Sequence, residues 1–163
     1  MSIDGVSSIG FTEMQLTEKV INKIYQHALD NYPDECCGIV TGDEQDQRVH
    51  YFENIQNRLH ADDPEKHPRD AGTAYAIDRK EFDRILSASQ GRGEGIIAFY
   101  HSHIDHDAYF SVTDVEAQTV FGEPEFPDAL HIVVSVRQGQ IKEMKYFKWD
   151  KNRKDFVGYS SPS

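Results

Sequence analysis

The chain has 163 residues, with 17 Lys plus Arg against 28 Asp plus Glu and a net charge of −11, a length that fits one domain with its own core. The negative balance argues against binding a nucleic-acid backbone, which needs basic patches, and mildly favours a protein partner with a basic carboxyl tail. No apolar run reaches the roughly 18 residues of a membrane span, and Met1 to Gly5 lack a signal peptide's basic start, so a cytoplasmic protein with no membrane partner is expected.

Residues 1–163 are read as a single domain, with 1–14 a loose arm or early edge strand and 160–163 a tail. Thr17 is the expected N-cap of a helix from about Glu18 to Asn31. Along it Val20, Ile24, Ala28 and Ile21, Tyr25, Leu29 form a wide apolar stripe. Pro33 stops this helix, and the Cys36 to Thr41 run opens a buried strand. Glu35 sits at the junction. By itself it reads as a solvated acid in a turn; partial desolvation at the strand mouth would instead raise its pKa toward the operating pH of a general base. Cys36 and Cys37 are neighbours and cannot staple distant segments, so two reduced thiols are expected, at least one buried; a nucleophilic thiol is the minor alternative.

An acidic turn at Asp43 to Gln47 leads to a strand over Arg48 to Ile55. Gln56 to Thr73 is polar and aperiodic, a long loop of the lid or binding type. His60, Asp62, Asp63 and His67 within it fit no metal geometry and are read as solvated. Tyr75 to Ile77 is expected as a short strand. Asp78 with Glu81 makes a capping box for a helix to about Ser89, with Phe82, Ile85, Leu86 and Ser89 inward.

Gly95 to Tyr100 is an apolar run with the branched and aromatic residues of a buried strand, and it runs into His101-Ser102-His103. Residues two apart on a strand share a face, so His101 and His103 project together while Ser102 faces away. Ile104 to Phe110 follows as a loop with solvated His106 and Asp107. Ser111 then N-caps a helix in which Asp114 completes a capping box. Two imidazoles and a carboxylate leave the fourth tetrahedral position open, the arrangement of a catalytic zinc (Zn2+). His101, His103 and Asp114 are therefore the candidate metal ligands. The H-x-E with P-C-x-x-C of zinc deaminases is missing, as is the H-E-x-x-H helix of common metalloproteases.

The helix from Val112 is expected to end near Phe121-Gly122, with Pro124 and Pro127 in a rigid loop. Ala129 to Val136 and Gln140 to Trp149 flank a Gln138-Gly139 hairpin turn, and Asp155 to Tyr159 adds an edge strand. The fold class is α+β, a curved mixed β-sheet flanked by helices.

Pro-x-Glu-x-Cys-Gly at Pro33 to Gly38, then an apolar strand into His-Ser-His, seven residues, Ser111, two residues and Asp114, resembles the JAMM (MPN-plus) metalloprotease family. The resemblance covers most of the chain and implies a cytidine-deaminase-like sheet flanked by helices. It also implies zinc-dependent hydrolysis of a peptide or isopeptide bond at the carboxyl tail of a ubiquitin-like or sulfur-carrier protein. On that resemblance His101, His103 and Asp114 hold zinc, Glu35 positions water and moves its proton, and Ser111 hydrogen-bonds the oxyanion. The extended tail would be held by strand addition. One departure is Ile104, where the family usually has proline to stiffen the loop. A non-catalytic interaction scaffold of the same fold is the alternative. Whether the chain forms a homodimer is left open.

Overall fold

The computed structural model describes residues 16–160, so the arm and most of the tail lie outside it. Thr17 accepts from the Val20 amide and caps α1 (Glu18–Asn31), which buries Val20, Ile24 and Ala28. Next come β1 (Cys37–Gly42), β2 (Gln47–Phe52), α2 (Gln56–Asp62), α3 (Arg79–Gly91) and β3 (Gly95–Ile104). The chain continues through α4 (Val112–Gln118), β4 (Thr119–Val120), β5 (Glu123–Pro124), β6 (Leu130–Arg137), β7 (Gln140–Asp150) and β8 (Asp155–Ser160).

Six strands form one mixed sheet in the order β2-β1-β3-β6-β7-β8, and only β3 and β6 run parallel. The alternation of β3 decides what each face holds. Ala98 and Tyr100 join the core under α1, whereas Phe99 packs with Phe52 and Phe82 on the α3 side. A parallel pair cannot be closed by a hairpin and needs a crossover. Here the β3–β6 crossover contains α4, which brings Ser111 and Asp114 back beside the end of β3. Among the described residues, no helix is long and apolar enough to cross a membrane.

Gly38 pairs with Tyr100 across β1 and β3, and a Cβ built on it would overlap the Tyr100 ring. That ring cannot retreat, because it is 1% exposed and its hydroxyl is bonded to His27 Nδ1 at 2.7 Å. Gly38→Ala should therefore lower stability by about 1–3 kcal/mol, the usual range for an overpacked core. Denaturant unfolding reads this directly, and an unchanged midpoint would mean that the ring has room to move.

Three expectations are corrected. The Gln56 to Thr73 stretch is not wholly loop, since its first turns form α2. No side chain caps that helix and Gln56 is its only buried residue, so it carries no apolar period; it is held by bonds from Gln56, Asn57 and His60 to the segment that follows. Tyr75 to Ile77 is not a strand. The Ala76 amide donates to Asn54 Oδ1 (3.1 Å) and its carbonyl accepts from the Ile55 amide (3.0 Å), so a local side chain and turn replace a sheet ladder. The last helix before the Pro124 region ends at Gln118 rather than near Phe121. Thr119 is already extended, and Phe121 (φ 52°) with Gly122 (φ 81°) turns a small β4–β5 hairpin through two positive-φ residues, the type I′ pattern.

Candidate metal centre and cleft

His101 and His103 lie at the end of β3, on its Phe99 face. Asp114 occupies the first turn of α4, where the Ser111 capping box aims it: Ser111 Oγ accepts from the Asp114 amide (3.0 Å) and the Ser111 amide donates to Asp114 Oδ2 (2.9 Å). That same Oδ2 stands 3.1 Å from His101 Nε2 and 3.2 Å from His103 Nε2. All three side chains are buried, with 3%, 6% and 4% exposure for His101, His103 and Asp114.

The polar contacts in this group fit a cation. His103 Nδ1 lies 2.9 Å from the Asp107 carbonyl, which can only accept. Nδ1 therefore carries a proton, and Nε2 faces Asp114 Oδ2, where it either donates to the carboxylate when protonated or, in the neutral ring, offers a lone pair that a positive ion between the two would satisfy. His101 Nε2 is buried with no hydrogen-bond partner, because its approach to Asp114 lacks hydrogen-bond geometry. A ligand atom from each residue lies within 4.8 Å of the others. Two imidazole nitrogens and a carboxylate oxygen are the donor set of a three-ligand zinc site. Burial acts to raise the Asp114 carboxyl, but His101, His103 and the Ser111 amide outweigh it and hold the group well below the usual carboxylate range.

A cleft of about 320 Å³ opens at this centre, with Glu35, Arg69, Thr73, Tyr109 and Ser111 in its walls. Glu35 is 5% exposed, so it is a buried carboxyl at the cleft and not the solvated acid that its local sequence suggests. Burial, then the Asp114 charge, raise its pKa to about 9, with Arg69 acting in the opposite direction. Its backbone is held on both sides. The Glu35 amide donates to the Ala71 carbonyl (2.8 Å), Asn54 Nδ2 donates to the Glu35 carbonyl (2.8 Å), and the Cys36 amide donates to Ser102 Oγ (2.8 Å).

Sequence reasoning missed two of these holders. Asn54 satisfies four backbone groups, donating to Glu35 and Ala74 and accepting from Gln56 and Ala76; it falls inside the expected strand Arg48 to Ile55, which in fact ends at Phe52, and nothing in the sequence marks its role. Ser102 does face away from the metal group as expected, but it reaches the residue after Glu35. Half-buried Tyr75, stacked on the His101 ring at 4.6 Å, is a third residue with no advance signal.

The remaining expectations resolve locally. Both thiols are free and buried, and burial first of all pushes Cys36 up to about 12 and Cys37 higher still, which removes the thiolate needed by a cysteine nucleophile. The loop after His103 is tied without the family's proline: the Asp105 amide donates to the Val136 carbonyl (2.7 Å), Tyr32 and the Gln138 amide donate to the Asp105 carboxylate, and Arg137 pairs with Asp107. The segment at Arg69 to Thr73 is a bonded cleft wall, anchored through Ala71 to Asn57 and through the Arg69 carbonyl to Gln56. Beside the histidines β3 is paired with β6 as far as Ile104, whereas its register with β1 ends at His101.

Residues 17–149 match the family described as prokaryotic homologs of the JAB domain. The CysO-cysteine peptidase of Mycobacterium tuberculosis is 29% identical over 129 residues, covering 79% of this chain and 77% of that protein. A desampylase of Haloferax volcanii is 29% identical over 99 residues, covering 61% of this chain and 65% of that one. Among solved structures, a protein from Desulfitobacterium hafniense superposes with a TM-score of 0.62 at 19% identity over 88% of each chain, a likeness of fold. One from Salinibacter ruber gives 0.56 at 26% identity over 88% of this chain and 87% of the other.

Proposed function

We propose, from the premise that this chain belongs to the prokaryotic homologs of the JAB domain, that it is a zinc-dependent peptidase or isopeptidase. It hydrolyses the bond at the carboxyl tail of a small ubiquitin-like or sulfur-carrier protein, in the cytoplasm. The observation that carries this reading is the convergence of His101 with His103 and Asp114, the latter two lining a cleft that also presents Glu35 and Ser111. The printed names of the relatives, CysO-cysteine peptidase and desampylase, support the substrate class.

His101, His103 and Asp114 would hold the ion, which when bound polarises a carbonyl and lowers the pKa of water to about 7. Glu35 takes the proton from water and delivers it to the leaving amine. Its buried position suits the second half of that transfer, since burial disfavours the charged form. Neutralising the Asp114 charge on ligation removes the next largest cause of the raised pKa and favours the accepting form. Ser111 Oγ already accepts from the Asp114 amide, so its hydroxyl hydrogen is free to donate to the developing oxyanion. A non-catalytic scaffold would not need this complete donor set.

Incubating the zinc-loaded protein with ubiquitin-like and sulfur-carrier proteins extended at the carboxyl end, and weighing the products by mass spectrometry, tests the reading. Release of the unextended carrier is expected, stopped by a chelator and restored by zinc. If no carrier is shortened under these conditions, the peptidase reading is wrong.

A further inference from the structure

The three candidate ligands are not oriented in the same way. Asp114 is aimed by its capping box, and the His103 ring is fixed through Nδ1, which bonds to the Asp107 carbonyl at 2.9 Å. Among the described residues no hydrogen bond orients the His101 ring, although its Nε2 lies only 3.1 Å from Asp114 Oδ2. Rotation about the bond from Cβ to a histidine ring is broad, so a place on a strand settles where the ring lies but not how it is turned. A metal ligand needs its lone pair aimed, and a hydrogen bond to the other ring nitrogen usually does this.

Against His101 lies Tyr75. The two rings stack with centroids 4.6 Å apart and planes 26° from parallel, whereas His103 stands at 5.2 Å and 52° and Phe110 at 6.3 Å and 57°. Asn54 anchors the tyrosine on both sides: its Nδ2 donates to the Ala74 carbonyl and its Oδ1 accepts from the Ala76 amide, each at 3.1 Å. The same side chain holds the Glu35 carbonyl, so the candidate base and the stacked ring share one anchor. The Tyr75 hydroxyl accepts from Gln118 Nε2 at 3.4 Å, and Gln118 ends α4 one turn after Asp114. Tyr75 thus touches both the strand that carries His101 and the helix that carries Asp114. Tyr109 offers a contrast, meeting the His103 ring edge-to-face at 4.8 Å and 73°, where the Asp107 bond already sets the rotation.

We propose that Tyr75 is a positioning residue of the metal centre: its ring fixes the rotation of His101, and its hydroxyl ties that setting to α4; the inference rests on the zinc reading above. Turning the imidazole about its bond to Cβ swings the ring out of its own plane, and a tyrosine lying nearly flat against it resists that motion through lost stacking and steric contact. An aromatic face does for His101 what the Asp107 carbonyl does for His103. Tyr75 acts through the histidine and supplies no donor atom to the ion.

The test compares the full chain with Tyr75→Phe and with two variants lacking the ring, Tyr75→Leu and Tyr75→Met, so that poor folding of one leaves the comparison intact. Zinc affinity is read by competition with a chelator, and ligand geometry by the visible spectrum of the cobalt(II)-loaded protein, because the filled d shell of zinc absorbs no visible light. Losing an orienting partner costs a metal site about 10- to 100-fold in affinity, and the variants without the ring should lose that much. Their cobalt bands should also move from those of the parent, which lower stability alone does not cause in protein that stays folded. Tyr75→Phe keeps the ring, so it should hold the parent spectrum and lose no more than about threefold in affinity, the scale of one weak neutral hydrogen bond. Tyr109→Leu, a control on metal affinity alone, should stay near the parent because His103 retains its bond to Asp107. The proposal is overturned by parent-like affinity and spectrum without the ring, by an equal loss in Tyr75→Phe, or by an equal loss in Tyr109→Leu. A parent that takes up neither metal would instead sink the zinc reading itself.

Discussion

Glu35→Gln is expected to keep bound zinc and to lose turnover by about 10²- to 10⁴-fold, the usual contribution of a positioned proton carrier. The amide has nearly the carboxyl's shape, and the backbone bonds from Ala71 and Asn54 do not involve the side chain, so the cleft keeps its form. The same variant makes a second prediction with an unusual sign. Burial, then Asp114, raise the Glu35 pKa from 4.5 to about 9, so between those values the folded, metal-free protein holds a proton that the unfolded chain has released. Where the folded state binds more protons, stability falls as pH rises, by up to about 1.4 kcal/mol per pH unit for one proton. The contribution is fully present below 4.5 and is lost progressively toward 9. Glu35→Gln removes this slope. Its metal-free form should be more stable than the parent at pH 7 and converge with it below pH 4.5. Activity and zinc content decide the first part, and chelator-treated melting curves across pH decide the second. Parent-like cleavage by the variant would show that the proton is carried by another group.

The parts of this molecule that were legible beforehand are those with a local rule. Val20, Ile24 and Ala28 recur at helical spacing behind a capping threonine, and α1 forms where they say. His101 and His103 share a face because strand side chains alternate, and Asp114 is aimed by a capping box that the sequence spells out. What stayed hidden is set by groups that meet across the chain. The buried state of Glu35 follows from the crossover that brings Asp114 opposite it and from the wall at Ala71, neither of which leaves a mark near residue 35. Asn54 gave no sign because an asparagine that bonds four backbone groups has the same letter as one in solvent. The missed helix α2 has no apolar stripe, since the bonds from Gln56 and Asn57 do the holding that a hydrophobic face would otherwise do.

His101→Ala should differ from Glu35→Gln by losing zinc and turnover together. His101 Nε2 is, among the described residues, the buried side-chain atom with no hydrogen-bond partner, which an ion would satisfy, and the two remaining candidate ligands would leave the site one short of a stable set. The loss is measurable without any substrate. A ligand that binds only the folded state stabilises it by about 4 kcal/mol at a thousandfold excess over its dissociation constant. For a chain of this size that raises the melting midpoint by roughly 8–16 °C. The parent and Glu35→Gln should show this increment on adding zinc to chelator-treated protein, and His101→Ala should not. Each variant is compared with its own metal-free midpoint, because removing an imidazole stacked on Tyr75 shifts the baseline by itself. Ser111→Ala supplies the internal control: its hydroxyl is a cap and the proposed oxyanion donor but not a proposed ligand, so the zinc increment should survive while turnover falls by about 10²- to 10³-fold. An undiminished zinc increment in His101→Ala would mean that the ion is held elsewhere, and the assignment of the three ligands would fall with it.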